Sequence, residues 1–303
     1  MTNVVQHIDE IPVEGKPLGR HVNHDPRSRL YAYTAPEGAV LQSVVHARTI
    51  PILDQGKLGS CTGNAAVGSL GSEPNFITLP SEHPVLDETL AIKIYSAAEI
   101  IDGGAGYPPE DNGSTGLSVA SALRTMGLIS GYQHTFTLND ALIALQTYNV
   151  IIGINWYAGF DTPDANGFVS ISGIVRGGHE VELVAIDVSA KTVTAANSWG
   201  TSYGKDGYFT FSWDDLTRLL SEQGDVTVLL PMNVPAPVPT PIPVPTPSPI
   251  PDPVPVPPVP VPAPTYNDAV FAVALHRWLD GKNRWFYKSI QKAALVWLKA
   301  KGL

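Results

Sequence analysis

The 303-residue sequence contains a single cysteine, Cys61. One cysteine cannot form a disulfide within the chain, so the fold cannot depend on an oxidising compartment. The thiol therefore either fills space in a core or takes part in chemistry.

An excess of basic residues is also missing. The chain has 28 acidic against 19 basic residues, a net charge of −9. Proteins that bind nucleic acids present a basic face that displaces the counterions of phosphates. We therefore expect no nucleic-acid partner.

Long apolar runs are absent as well. None approaches the length of a transmembrane helix, and residues 1–15 lack the basic stretch and apolar run of a signal peptide. We expect a chain that is soluble when made. Its localisation stays open, with association with a virion and release at lysis as alternatives.

Proline is abundant in one place, the tract 234–265, where it recurs at nearly every second position. Such a segment forms neither helix nor sheet and favours polyproline II, extending by roughly 3 Å per residue. A disordered linker of lower stiffness is the alternative. The tract separates a domain of residues 1–233 from a C-terminal tail, 266–303.

The domain shows helical patterns first and strand patterns later. Helices are predicted at 61–70, 86–101 and 118–126, and strands at 150–156, 181–188, 192–196, 207–213 and 226–230. This order predicts an α+β fold with a helical half and a β-rich half.

The segment Asp54-Gln-Gly-Lys-Leu-Gly-Ser-Cys61 precedes a helix of small residues. A thiol at a helix N-terminus lies where backbone N–H groups and the helix dipole stabilise thiolate. Attack by thiolate on a carbonyl creates an oxyanion, for which the Gln55 side chain and the Cys61 N–H are candidate donors. Gly56 and Gly59 allow the loop to pass close to a substrate.

A second pattern, Gly177-Gly-His-Glu180, enters an apolar strand, and eighteen residues after its histidine comes Asn197-Ser-Trp-Gly-Thr-Ser-Tyr-Gly-Lys-Asp-Gly-Tyr208. A lone histidine at a strand start is more often structural. The three segments together, in this order, favour a catalytic role for His179.

These segments resemble the motifs of the papain family of cysteine peptidases. The resemblance implies a papain-like two-lobed fold in which Cys61 is the nucleophile, His179 its base and Gln55 part of the oxyanion hole. It also implies that Asn197 orients the histidine and that Trp199 covers their hydrogen bond. Departures at Leu58, where many members have cysteine, and at Thr62, where they have an aromatic residue, resemble bacterial and phage members.

The resemblance implies hydrolysis of peptide bonds through a thioester on Cys61, without a metal or cofactor. The implied partner is a peptide or protein. The alternative is a non-catalytic binding protein or virion structural protein that retains the fold.

Three further residues are implied to contact substrate: Gly59, Trp199 and Glu180. In the family, the position after the histidine borders a specificity pocket and is usually small. Glu180 there predicts a preference for basic groups, including the diamino acid of peptidoglycan stem peptides. The alternative is that Glu180 points to solvent.

Residues 1–45 form a polar entry segment, the N-terminal strap. It is shorter than the inhibitory propeptide of many family members, so we expect it to strap across the domain, with control of activity lying elsewhere.

The tail 266–303 inverts the charge of the chain. Seven Lys and Arg against two Asp give a net charge of +5, interspersed with Trp278, Trp285 and Trp297. A helical hairpin is predicted, with Gly281 between its helices. Such a tail can anchor the protein to an anionic envelope surface. The alternative is that its apolar stripe only joins the two helices.

Deletion of residues 266–303 is expected to leave cleavage of a small peptide unchanged and to lower co-sedimentation with cell walls or anionic vesicles strongly. The binding that is lost should be sensitive to salt, because exposed charges are screened at high ionic strength. Equal sedimentation of the full-length and truncated proteins at low salt would contradict anchoring.

Overall fold

The structure is a computed structural model, and it describes residues 5–234. The tail 266–303 and all of the proline tract except Val234 lie outside the described residues. The predicted spacer and helical hairpin therefore stay predictions.

The described residues form an α+β domain. Its helices are α1 (Cys61–Leu70), α2 (Glu88–Ile101), α3 (Gly116–Thr125), α4 (Leu138–Thr147) and α5 (Trp213–Ser221). Its strands are β1 (Val44–Val45), β2 (Gly131–Thr135), β3 (Val150–Tyr157), β4 (Val175–Asp187), β5 (Thr192–Ala196), β6 (Tyr208–Ser212) and β7 (Asp225–Leu230). The three predicted helices and five predicted strands are confirmed. The bounds of α1 and β5 agree with the prediction, and the ends of the other six are shifted. No helix of residues 5–234 is long and apolar enough to cross a membrane.

The seven strands form one antiparallel sheet. The strand order is β2-β7-β3-β4-β5-β6, and β1 pairs with β4. Strand β4 begins six residues before the predicted start, so His179 lies within the strand, opposite Ile154 of β3. Pairing with β3 at the histidine, and with β5 from Glu182 onward, fixes the backbone that carries this histidine.

Two hydrophobic cores lie on opposite faces of the sheet. Along β3, Val150, Ile152 and Ile154 belong to one core and Ile151 to the other, as the alternation of side chains in a strand requires. The core that includes Ile151 is formed mainly by α1, α2 and α3. The helical and β-rich halves therefore meet at the sheet, and α1 packs against β4.

Helix α1 lies deep inside the domain because its side chains are small. All ten of its residues are buried. A β-carbon on Gly63 would collide with the backbone of Ala91, so the close approach of α1 to α2 requires glycine at this position. The buried helix carries Cys61 at its first position.

The first part of the strap turns back on itself and covers the start of β4. Gln6 and Val22 form an antiparallel bridge. Between them, the Ile11 N–H donates to the Arg176 carbonyl, and the Lys16 ammonium donates to the Asp161 carbonyl. This path brings residues 16–21 over the N-terminus of α1.

Candidate active site

Cys61 is fully buried at the N-terminus of α1. The backbone N–H groups of Glu180 and Thr62 lie against its sulfur. Burial raises the pKa of the Cys61 thiol far above its usual range, and these two donors offset the effect only in part. Burial in this conformation thus favours the protonated thiol.

His179 is held by Asn197. The ring Nε2 lies 2.7 Å from Asn197 Oδ1, which also accepts from the Ser198 N–H at 2.8 Å. An amide oxygen only accepts, so the neutral ring carries its proton on Nε2 and has its lone pair on Nδ1. No residue of the 5–234 domain hydrogen-bonds Nδ1, and Cys61 Sγ is therefore not yet bonded to it.

Two tryptophans exclude water from the histidine. The Trp199 ring lies 4.9 Å from the His179 ring at an interplanar angle of 33°, and the Trp156 ring lies 4.8 Å away, edge to face. Burial lowers the pKa of His179 to about 4; the Asn197 hydrogen bond raises it in part, and the charge of Arg176 lowers it further. The sequence pattern identified Trp199. It missed Trp156, because a tryptophan within an apolar strand is most simply interpreted as core.

Gln55 reaches the same site from the loop before α1. Its Oε1 accepts from Ser198 Oγ at 2.6 Å, and its Nε2 donates to the Leu58 carbonyl at 2.8 Å. The Pro17 carbonyl lies 3.4 Å from Nε2 and accepts from Trp199 Nε1 at 3.0 Å. A carbonyl of the strap thus lies against one of the two predicted oxyanion donors, the Gln55 side chain.

The strap passes through the groove beside these residues. The Gly19 and Arg20 N–H groups donate to the Gly178 carbonyl at 3.1 and 3.0 Å, and the Ser114 N–H donates to the Gly19 carbonyl at 2.9 Å. Gly19 has φ +140°, and a β-carbon there would collide with the backbone of Gly59. Five residues of the strap, 17–21, lie across this groove.

The remaining predicted substrate-binding residue, Glu180, does not point to solvent. Its side chain is fully buried, close to an ion pair between Arg20 and Asp225. Gly59 lies against the strap, and its N–H donates to Asp111 Oδ2 at 3.0 Å. No sequence pattern indicated Arg20, Asp225 or Ser114 at the site, since only long-range contacts bring them there.

The low pKa of His179 predicts a pH dependence of stability. Between pH 6.5 and about 4 the unfolded chain binds a proton at this ring that the folded chain does not, so the free energy of unfolding falls as the pH falls through this window. The loss is about 3 kcal/mol. It should be absent in His179→Gln and retained in His24→Gln, which changes an exposed histidine. Urea unfolding at pH 4.5, 5.5 and 7 measures the free energy of unfolding. The same dependence of this free energy on pH in wild type and His179→Gln would contradict the prediction.

The chain is similar to known proteins in its structure. No protein-family model matches the chain, and no curated protein matches it by sequence. Among solved structures, it is similar to xylellain, a cysteine protease from Xylella fastidiosa, with 18% identity and a TM-score of 0.58 over 73% of this chain and 98% of that one. It is also similar to procathepsin B S9 from Trypanosoma congolense, with 12% identity and a TM-score of 0.50 over 71% and 87% of the two chains. The domain therefore has the papain-like α+β fold.

Proposed function

We propose that this chain is a cysteine peptidase in which Cys61 is the nucleophile and His179 its general base. The observation that carries the proposal is the hydrogen bond from His179 Nε2 to Asn197 Oδ1, which leaves Nδ1 as the free basic nitrogen beside the helix that carries Cys61. The papain-like fold supports the same roles.

The reaction divides into two acyl transfers. The Cys61 proton moves to His179 Nδ1 as the sulfur bonds to the substrate carbonyl carbon. Gln55 Nε2 and the Cys61 N–H donate to the oxyanion that forms. The His179 proton then passes to the leaving amine, which leaves a thioester. Water attacks the thioester after giving a proton to His179, and the released sulfur takes that proton back as the acid product departs.

We further propose that the strap holds this peptidase latent. The Pro17 carbonyl lies against Gln55 Nε2, which a substrate oxyanion needs, and is held there by Trp199 Nε1. Burial raises the pKa of the thiol and lowers that of the imidazole, so both changes favour the neutral pair over thiolate and imidazolium. The strap lies over the groove in which both groups are buried. Displacement of residues 17–21 would admit water and substrate and reverse both changes.

The glycines of the strap provide a matched test of latency. Gly19→Ala should displace the strap, because the new methyl group collides with the Gly59 backbone. Overpacking of this kind costs about 1–3 kcal/mol, which increases the open fraction by a factor between about 5 and about 150. Gly15→Ala is the control, since Gly15 also has a positive φ but has nothing within 4 Å of its β-position. We expect alkylation of Cys61 by iodoacetamide to accelerate in Gly19→Ala far more than in Gly15→Ala. Equal rates in the two variants would contradict latency.

Peptide hydrolysis by the Gly19→Ala protein tests the catalytic roles. Adding Cys61→Ser should lower kcat by about a thousandfold or more, because a neutral hydroxyl replaces the thiolate. The fold should persist, since the side chain hardly changes in size. Asn197→Ala should lower the rate less than His179→Ala, because it removes orientation and leaves the base in place. Turnover retained in Cys61→Ser would contradict the role of Cys61 as nucleophile. No turnover by the Gly19→Ala protein itself would favour the alternative, a non-catalytic binding or virion structural protein.

The site of action that we propose is a cell envelope. The acidic chain carries a basic, tryptophan-containing segment, 266–303, beyond a proline tract, and a separate cationic anchor brings an acidic enzyme to an anionic polymer or membrane. A bacterial or phage origin and a peptidoglycan stem peptide as substrate are in keeping with this organisation. The co-sedimentation experiment with the truncated protein tests the anchor.

A further inference from the structure

Arg20 is the most deeply buried charged group of the strap. Its side chain is fully buried. On either side of it, the Ser114 N–H donates to the Gly19 carbonyl and the His21 N–H donates to the Ser114 carbonyl, at 2.9 and 2.8 Å. These bonds hold the strap backbone against residue 114. The Arg20 side chain leaves that backbone for the interior, where it pairs with Asp225 and donates to the Gln223 carbonyl.

The guanidinium lies in a recess formed by two carboxylates and two glycines. A β-carbon on Gly153 would come within 2.7 Å of Glu180 Oε2 and 2.8 Å of Asp225 Oδ1, and closer still to Arg20 Nε. A β-carbon on Gly116 would come within 2.7 Å of Glu180 Oε1. Any larger residue at either position would fill the recess, so the two glycines provide its volume.

Arg20 leaves hydrogen-bonding groups of the recess without partners. Neither oxygen of Glu180 has a hydrogen-bond partner in the described domain, and neither do Nε and Nη1 of Arg20. Burial and the neighbouring charge of Asp225 raise the pKa of Glu180, and Arg20 offsets this only in part. A permanent buried ion pair is expected to satisfy its donors and acceptors. These four polar atoms without hydrogen bonds indicate a binding site that the Arg20 side chain fills imperfectly.

The recess adjoins the catalytic groups. Glu180 directly follows His179, and its backbone N–H lies against Cys61 Sγ. The Gly178 carbonyl, on the other side of His179, accepts from the Arg20 N–H. A peptide that occupies the groove in place of the strap would therefore present a side chain to this recess while its carbonyl groups lie near the thiol.

We propose that the recess of Glu180, Asp225, Gly116 and Gly153 binds a cationic side chain of the substrate, and that Arg20 is an internal mimic of that side chain. The substrate class is then peptides with a guanidinium or ammonium group near the cleaved bond. An uncharged side chain would leave the buried Glu180 carboxyl group and the partly exposed Asp225 carboxylate without a cationic partner, and this disfavours it. The assignment to substrates rests on the proposed peptidase function. Binding of a cation in the recess does not depend on that function.

The first test is made on the full chain and requires no activity. Arg20→Ala empties the recess, and N-propylguanidinium should refill it and raise the Tm saturably by about 3 °C. N-propylurea, which has the same shape and no charge, should have no effect. Arg27→Ala is the control, because Arg27 also pairs with an aspartate, Asp25, but is 73% exposed; its Tm should not respond to either compound. If Arg20→Ala does not fold alone, the yield of folded protein on refolding with each compound gives the same comparison.

The second test uses Gly19→Ala and peptides that carry one arginine, or its uncharged analogue citrulline, at varied positions. At one position kcat/KM should favour arginine by about a hundredfold, and adding Asp225→Asn should lower that ratio about tenfold.

No response of Arg20→Ala to N-propylguanidinium, or an equal response to N-propylurea, would overturn the cation site. Equal cleavage of the arginine and citrulline peptides would overturn its role in specificity. Binding of N-propylguanidinium without cleavage of any peptide would support the cation site and place the failure in the peptidase function.

Discussion

The hydrogen bond between His179 Nε2 and Asn197 Oδ1 is the interaction on which the rest of the site depends. It sets the tautomer of the imidazole and leaves Nδ1 free. Asn197 can make this bond because its own oxygen is fixed by the Ser198 N–H, at the turn that follows β5. Trp199 and Trp156 pack on the ring and keep water from the bond. Strand pairing, turn geometry and aromatic packing therefore all serve to orient one ring.

The burial that protects this bond also opposes ionisation. A dry site favours the neutral forms of the thiol and the imidazole, and the pKa values of Cys61 and His179 move in the corresponding directions. The strap is part of that burial, since Leu18 is fully buried and residues 17–21 line the groove. In the described conformation, burial therefore favours the neutral forms of both groups, in keeping with the latent peptidase that we propose.

Much of the site could be predicted from the sequence, because its residues lie in three segments whose spacing is distinctive. Cys61, His179 and Asn197 come from a helix start, a strand and a turn that are each recognisable locally. The position of the strap could not be predicted, since hydrogen bonds between residues far apart in sequence determine it. Arg20 illustrates this, because its partner Asp225 is 205 residues away.

The helices that the sequence analysis missed had local signals. The Thr137 side chain accepts from the Asp140 N–H at the start of α4, and the Ser212 side chain accepts from the Asp215 N–H at the start of α5. A hydroxyl followed three residues later by an acidic residue is typical of a helix start. At α5 the apolar alternation of β6 masked this signal, because the helix begins directly after the strand. Strand β2 has no comparable pattern, and its pairing with β7 defines it.

The central claim is that Cys61 is a nucleophile activated by His179. Covalent labelling of Gly19→Ala by a peptidyl vinyl sulfone, followed by mass spectrometry, tests it most directly. The account predicts one adduct per chain, on Cys61, formed far faster than with a free thiol and slowed at least about a hundredfold by His179→Ala. An adduct that forms equally fast in His179→Ala, or no adduct in the strap-displaced protein, would contradict the account.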